Sequence, residues 1–482
     1  MYDIREYIQA ITFRENLSLK ELSDALGYKS RTTLDRILKE DATPAAVRRL
    51  EQALLDTFSM TPDEKRALHE AAQITIYGAE KYLVSKKMWD FVQGIPPAQT
   101  EQLCIRDARS GGVIDLTRRY AASGSVQAII INCQYIVGLF SIMKALLQRE
   151  NVTVDHFMYV DRDNVRTVSA VNLLMTVFYE RGYSGYVRQK AYQQSASQDC
   201  GLNEADVAAI TWRDADGKDK TDLLWFSNPE SGALLEVDGL SESFFKQIGL
   251  DRQDYAPIKR TYFECSAFVN YIKYSEDYAA LERNRAIWKI KPDIGVDQIP
   301  GHILKDAMLG GDMPHDDQFL NVLSVLEDIY RKRYKNTYAK RKHAFTIYKR
   351  GAMRRFALTG KTSDHFWGMR PYTLTERIVI LGDLLKQQNE NPYLHTYFLK
   401  DDATLRDVEI AYYEDVGMLI LESDTDYNLE QGHSEIMVTH QEMLNLYREF
   451  FMNVLLQDYV YPEAETCKFL RALIEEVRRL DR

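Results

Sequence analysis

The stretch LSLKELSDALGYKSRTTLDRILKE, Leu17 to Glu40, decides how the N-terminal part of the chain is read. Leu22 and Leu26 form one apolar stripe at helical spacing, and Leu34, Ile37 and Leu38 form another. Gly27 lies between them, and glycine enters the left-handed region without the penalty a Cβ imposes. Ser18 and Glu21 make a capping box, in which the hydroxyl takes an orphan amide and the carboxylate reaches back. The pattern predicts two short helices joined by a tight turn, with Ser30 as N-cap of the second. Upstream, Ile4, Tyr7, Ile8 and Ile11 predict a helix that Asn16 and Leu17 end. Downstream, Thr43-Pro44 and Thr61-Pro62 are start signals, and Val47, Leu50 and Leu54 give the helix after Pro44 a buried side. Residues 1–75 therefore read as a compact all-α domain.

The same segment resembles the helix-turn-helix of the XRE family, the lambda-repressor/Cro-like transcriptional regulators. Two departures stand out. Ser23 occupies a position usually held by alanine, and the turn Gly27-Tyr28-Lys29-Ser30 is one residue longer than the commonest form. The resemblance implies a transcriptional regulator with double-stranded DNA as its partner and the second helix laid in the major groove. Lys29, Ser30, Arg31, Thr32, Thr33, Arg36 and Lys39 are the residues expected at the DNA. Arginine can bridge guanine O6 and N7, threonine can touch a thymine methyl, and lysine can pair with phosphate. Residues 1–57 hold 9 basic and 10 acidic side chains. Such a module exerts little general pull on DNA, so a homodimer placing two copies on one operator is expected. The competing readings are a hairpin used for protein contact and an enzyme that the module targets to DNA.

The whole chain has 482 residues, too many for one ordinary domain. Its 61 Lys and Arg against 71 Asp and Glu give a formal charge of −10, which argues against indiscriminate coating of nucleic acid. Five cysteines, at 104, 133, 200, 265 and 467, have no CxxC spacing and support neither a disulfide framework nor a zinc knuckle. The N-terminus lacks an apolar leader, and the most apolar run, Ala128 to Met143, is too short for a membrane span. A cytoplasmic protein without membrane contact is expected.

After a helical linker over 76–108, expected strands at Val126–Ile131, Val152–Val160, Gly185–Gln189, Leu223–Phe226 and Ala233–Val237 interleave with helices at Tyr135–Gln148 and Val165–Arg181. This is an α/β pattern with a mixed sheet, divided here into halves 109–300 and 301–482. The second half is expected to be helical from 317 to 350 and again at the C-terminus. Residues 140–163, FSIMKALLQRENVTVDHFMYVDRD, and 378–402, IVILGDLLKQQNENPYLHTYFLKDD, share the order helix, Leu-Leu, Asn, strand, His, acidic tail. They mark a candidate duplication.

Within these repeats, His156-Phe-Met158 with Asp163 and His395-Thr-Tyr397 with Asp402 are similar to the paired HxKxxxxD signature of the phospholipase D superfamily. That resemblance implies a duplicated α/β fold and a histidine nucleophile. Both lysines are absent, and a methionine cannot supply charge-assisted bonds to a phosphoryl group. The expectation is a degenerate fold of that type, with no catalytic residues, no metal and no cofactor. Arg331 to Arg355 carries 11 Lys and Arg and no Asp or Glu. Lys340, Arg341 and Lys342 are its candidate residues for a small anionic effector, against the plainer reading of a basic helix face paired with acidic side chains elsewhere. Leu358-Thr-Gly-Lys-Thr362 imitates a phosphate loop but has Arg355 where that loop needs glycine. His315, Asp316 and Asp317 read as a helix-capping acidic turn rather than metal ligands.

Overall fold

The computed structural model describes residues 3–28, 31–38, 42–93, 104–106, 113–158, 164–177, 180, 182–188, 206–228, 231–237, 252–257, 259–263, 268–312, 317–339, 342–363, 369–401, 403, 405, 408–422, 433–439 and 441–480. Met1–Trp89 and Asp90–Arg482 form two compact units.

The described elements of the first unit are all helices: α1 (Ile4–Arg14), α2 (Leu19–Ala25), α3 (Arg31–Ile37), α4 (Pro44–Thr57), α5 (Pro62–Tyr77) and α6 (Ala79–Gln93), the last running past Trp89. The start signals act locally. Ser18 with Glu21 and Thr61 with Glu64 close capping boxes, and the Thr43 hydroxyl accepts from Ala46 N ahead of Pro44. A further box, Asp3 with Glu6, opens α1. Each such cap contributes about 1 kcal/mol. Asn16 adopts a left-handed φ of 52° just beyond α1. Ile4, Ile8, Ile11, Leu22, Leu34, Leu50, Leu54 and Leu68 converge on one core. Lys86 of α6 pairs with Glu70 of α5 at 2.8 Å, so α6 belongs to this unit and is no free-standing linker.

The second unit contains two sheets. The first is built from β1 (Cys104–Arg106), β2 (Val126–Ile131), β3 (Val152–Met158), β4 (Tyr183–Arg188), β5 (Asp206–Arg213), β6 (Asp219–Asn228), β7 (Ser231–Val237) and β8 (Tyr255–Pro257). The second is built from β9 (Lys259–Phe263), β10 (Ile287–Lys291), β11 (Ala344–Tyr348), β12 (Leu394–Phe398), β13 (Val408–Tyr413), β14 (Gly417–Glu422) and β15 (His433–Val438). Their spatial orders are β1-β7-β6-β5-β2-β3-β4-β8 and β12-β11-β10-β13-β14-β15-β9. Six strands repeat: β4-β3-β2-β5-β6-β7 matches β12-β11-β10-β13-β14-β15. In both, the first three are parallel and the rest antiparallel. Helices α7 (Val113–Ala122), α8 (Val137–Leu147) and α9 (Asn164–Leu174) precede β2, β3 and β4. In the second half α10 (Phe268–Glu282) precedes β10, and each crossover carries a helix pair: α11 (Gly301–Leu309) with α12 (Asp317–Tyr338), then α13 (Arg350–Thr359) with α14 (Leu374–Glu390). After β15 come α15 (Gln441–Phe450), a π-helix (Phe451–Tyr459) and α16 (Glu463–Leu480).

The α/β region is therefore duplicated, but out of phase with the sequence likeness. Residues 140–163 hold α8 and β3, whereas 378–402 hold α14 and β12, whose counterpart is β4. The sequence likeness thus pairs units that stand one step apart in the structural repeat. The two sheets divide between Pro257 and Lys259, ahead of the expected boundary at 300, and β1 lies inside the expected linker. The helix expected to reach 350 ends at Tyr338. Ala344–Tyr348 is instead a strand between two parallel partners, because the pentad AFTIY is β-branched and aromatic although basic residues flank it.

β10 is buried at all five positions, Ile-Trp-Lys-Ile-Lys. Lys289 and Lys291 lie two residues apart and so share one face. Lys289 Nζ reaches Asp297 Oδ2 at 3.0 Å, and Lys291 Nζ reaches Glu409 Oε2 at 2.9 Å and Asp297 Oδ1 at 3.6 Å. Arg333 of α12 holds Glu282 of α10 through Nε and NH2, the latter at 2.7 Å. Burial alone would raise the Asp297 pKa, but Lys289, Lys291 and Arg333 hold its carboxyl well below the usual carboxylate range. Removing one partner of such a pair is far more damaging than replacing both. Glu282→Gln should cost about 3–5 kcal/mol, read as a lowered urea midpoint of the second unit. Adding Arg333→Met should regain part of that loss. An unchanged midpoint in Glu282→Gln excludes a stabilising role for the pair.

Candidate functional site

The Leu17–Glu40 hairpin is organised from within. Leu22 and Leu34 are fully buried and Ile37 nearly so. Ser23 is fully buried as well, which explains a small residue there. Gly27 has a φ of +73°, with nothing within 4 Å of the place a Cβ would take. Backbone conformation, not space, demands glycine at this point. Tyr28 N donates back to Ser23 O at 3.0 Å. With Leu34 and Ile37 turned inward, Thr32, Thr33 and Arg36 are left exposed on α3. Arg5 Nε donates to Leu38 O at 2.8 Å and ties the end of α3 to α1. Lys29, Ser30 and Lys39 lie outside the described residues, as does the side chain of Arg31.

The basic run disperses. Lys340 and Arg341 lie outside the described residues. Lys342 pairs with Glu414 at 2.6 Å. Arg331, Arg333, Arg350 and Arg354 pair with Glu327, Glu282, Asp401 and Glu476. Five of its described cations are thus met by carboxylates that lie outside the run, and Lys349 Nζ donates to the Leu405 carbonyl at 2.8 Å. Gly360, with a φ of 72°, caps the C-terminus of α13, and Arg377 donates to Leu358 O at 2.9 Å and to Tyr372 O at 2.7 Å. A phosphate loop opens a helix at its amide end; Thr359 to Thr362 instead follow a carbonyl end, which disfavours anions. His315 and Asp316 lie outside the described residues, and Asp317 is exposed at the start of α12. Among the described residues no group of three or more His, Cys, Asp or Glu could hold a metal ion, and no helix is long and apolar enough to cross a membrane.

The two motif histidines occupy different environments on non-equivalent strands. His156 on β3 is fully buried. Its Nε2 donates to Asn132 O, and its Nδ1 lies 2.7 Å from the Tyr183 hydroxyl. A carbonyl only accepts, so Nε2 carries the proton and Nδ1 accepts from Tyr183. These bonds pin a strained turn in which Asn132 and Cys133 are both left-handed, with φ of 57° and 54°. Cys133 N donates to Asp206 Oδ1 at 2.7 Å, and Asn132 N donates to Phe157 O at 2.7 Å. Burial raises the pKa of both Asp206 and the Cys133 thiol. His395 on β12 sits near the surface. It stacks on Phe345 at 4.6 Å, and its Nε2 lies 2.9 Å from His343 Nδ1. Glu463 Oε1 is 3.4 Å from the other nitrogen. Asp163 and Asp402 lie outside the described residues. The structure therefore does not bring the two histidines together as a symmetric pair.

Comparison with known proteins gives no family. No protein-family model matches the chain, and no curated protein sequence does. Among solved structures, the polyphosphate kinase of Porphyromonas gingivalis is similar over 76% of this chain and 53% of its own, with 10% identity and a TM-score of 0.22. The chain thus spans about half the length of that kinase. The phosphatidylserine synthase of Haemophilus influenzae Rd KW20 is similar over 77% of this chain and 91% of its own, with 9% identity and a TM-score of 0.25.

Burial lowers the His156 pKa from 6.5 to about 4, with the Asn132 carbonyl pulling slightly the other way. The unfolded chain takes up this proton as pH falls through 6.5, while the folded chain refuses it until about 4. The stabilisation is fully present above 6.5 and is lost as pH falls toward 4, a swing of about 3 kcal/mol. His156→Gln should flatten the dependence of the urea midpoint on pH across this window relative to the parent chain. Parallel profiles for the two proteins would contradict a neutral buried imidazole.

Proposed function

We propose that the chain is a sequence-specific double-stranded-DNA-binding regulator whose helical unit reads the operator and whose duplicated α/β unit serves sensing or assembly. The observation that carries this reading is the α2–α3 hairpin. A buried Leu22–Leu34 contact and a left-handed Gly27 leave Thr32, Thr33 and Arg36 exposed on one short helix. Arginine and threonine are the side chains suited to guanine edges and thymine methyls. The near-neutral balance of the module leaves little non-specific affinity, so two copies on one site are part of the proposal. Dimer geometry then offers the route for regulation: a ligand that favours one arrangement changes half-site spacing, and with it DNA affinity, by its differential affinity for the two states.

The α/β unit is read as non-catalytic. His156 is consumed in holding the Asn132 turn, and the set of buried charges around Asp297 is internally paired. The cleft beside that set, lined by Lys289, Asp297, Thr337, Gln388 and Thr396, measures about 20 Å³, little more than one water requires. A second reading, a phosphodiester-handling enzyme targeted to DNA, draws on the twice-built six-strand order. Incubation of the full chain with linear and single-stranded DNA plus Mg²⁺ or Mn²⁺ separates the two, since cleavage favours the second reading.

Selection of duplexes from a random pool by the full chain should enrich one motif with two half-sites. Arg36→Ala should weaken binding to it by about 1–3 kcal/mol and relax preference at one base pair in each half. Failure to enrich any duplex at about 50 mM salt, where phosphate contacts are strongest, would sink the DNA-binding reading.

A further inference from the structure

A pocket of about 230 Å³ lies in the second half of the α/β unit, with Arg350, Tyr461, Thr466, Lys468, Phe469 and Ala472 among its lining residues. It sits at the carboxyl end of β12 and at the start of α13, where parallel α/β sheets offer ligands a crevice. Its volume is far above the roughly 10–15 Å³ that a single water needs.

Three features meet there. First, the Arg350 guanidinium carbon lies 4.8 Å from the Tyr461 ring centroid and 4.5 Å from that of Phe469, so two rings hold it in place. Its NH1 donates to Asp401 at 2.9 Å, but that carboxylate is 70% exposed, and an ion pair so wet is easily exchanged for another anion. Second, α13 opens at Arg350 without a side-chain cap, so its first amides and its dipole favour a negative group. Third, Thr466 is fully buried, lines the pocket, and its hydroxyl has no hydrogen-bond partner within the protein. A buried hydroxyl left unmade is a standing cost that a bound acceptor relieves.

We propose that this pocket binds a small aromatic compound carrying a phosphate or carboxylate. The anionic oxygens meet Arg350 and displace Asp401, the ring lies against Tyr461 and Phe469, and the Thr466 hydroxyl donates to the ligand. Lys468, 3.7 Å from Glu465, flanks the entrance. The assignment is independent of DNA binding by the helical unit, and its test involves no DNA.

Calorimetric titration of the full chain with phenyl phosphate, benzoate and inorganic phosphate tests it. Phenyl phosphate or benzoate should bind, and which binds tighter names the acid. Arg350→Ala should weaken binding about tenfold or more, and Thr466→Val about threefold or more. Thr466→Val should also raise the melting temperature of the ligand-free protein, an opposite sign that a purely structural threonine does not give. Ala472→Trp, at an exposed lining position, fills the pocket with no change of charge and should abolish binding with folding retained. Absence of binding by both aromatic acids overturns the proposal, as does unchanged affinity in Arg350→Ala or Ala472→Trp. Equal affinity for inorganic and phenyl phosphate overturns its aromatic half.

Discussion

Three basic and three acidic side chains are buried together beneath the second sheet. Lys289 and Lys291 come from a central strand, Arg333 from α12, Glu282 from α10, Glu409 from β13, and Asp297 from the short 3₁₀ turn after β10. Each charge taken out of water alone would cost several kcal/mol. None of these five elements can dock without the others, because a missing element strands an uncompensated charge. The apolar core around Ile303, Leu326, Phe356, Ile380 and Leu470 supplies the bulk of the burial. It would tolerate small slips that the ion cluster does not.

That constraint also explains what could be read ahead of the structure. Elements announced by local chemistry were legible. Ser18 with Glu21, Thr61 with Glu64 and the β-rich run at Val126–Ile131 state their conformation within a few residues. β10 was not legible, since Ile-Trp-Lys-Ile-Lys puts two lysines on what a sequence reader takes for a solvent face. Their partners are supplied by residues as distant as Glu409. The same blindness hid β11 inside the basic run and made Arg333 look like a surface charge. The repeat was visible but misphased, since the segment that ends in β3 was matched to the one that ends in β12, the counterpart of β4. Of the candidate DNA contacts, exposure of Thr32, Thr33 and Arg36 followed from the spacing of Leu34 and Ile37. The aromatic-walled pocket left no sequence signal, since Arg350, Phe398 and Thr466 come from three separate elements and Tyr461 from the segment before α16.

The two halves put their polar residues to different uses. In the first, the end of β2 is a left-handed pair, Asn132 and Cys133, whose amides and carbonyls are all engaged: by Phe157, His156, Asp206 and Ile136. Two non-glycine residues in that region store strain of order 1–3 kcal/mol each, and a neutral His156 is one of the pins that hold it. In the second half the corresponding end of β10 leads into Pro292 and Asp293, whose buried carboxylate accepts from the amide and hydroxyl of Ser363. One architecture has been stabilised twice by unrelated means, which accounts for the weak sequence likeness between the halves.

A chain that builds the same strand order twice also makes, before it is finished, two sets of interchangeable edges. Swapping between halves or between neighbouring molecules is the characteristic misassembly of repetitive chains. The added strands work against it. β8 closes the first sheet beyond β4, while the matching edge strand, β12, is met by the Leu399–Val460 bridge instead. At the opposite edges β1 joins β7 in parallel, whereas β9 joins β15 antiparallel. Each sheet thus carries a distinct address at both margins, so a nascent half that pairs with the wrong neighbour cannot close its borders.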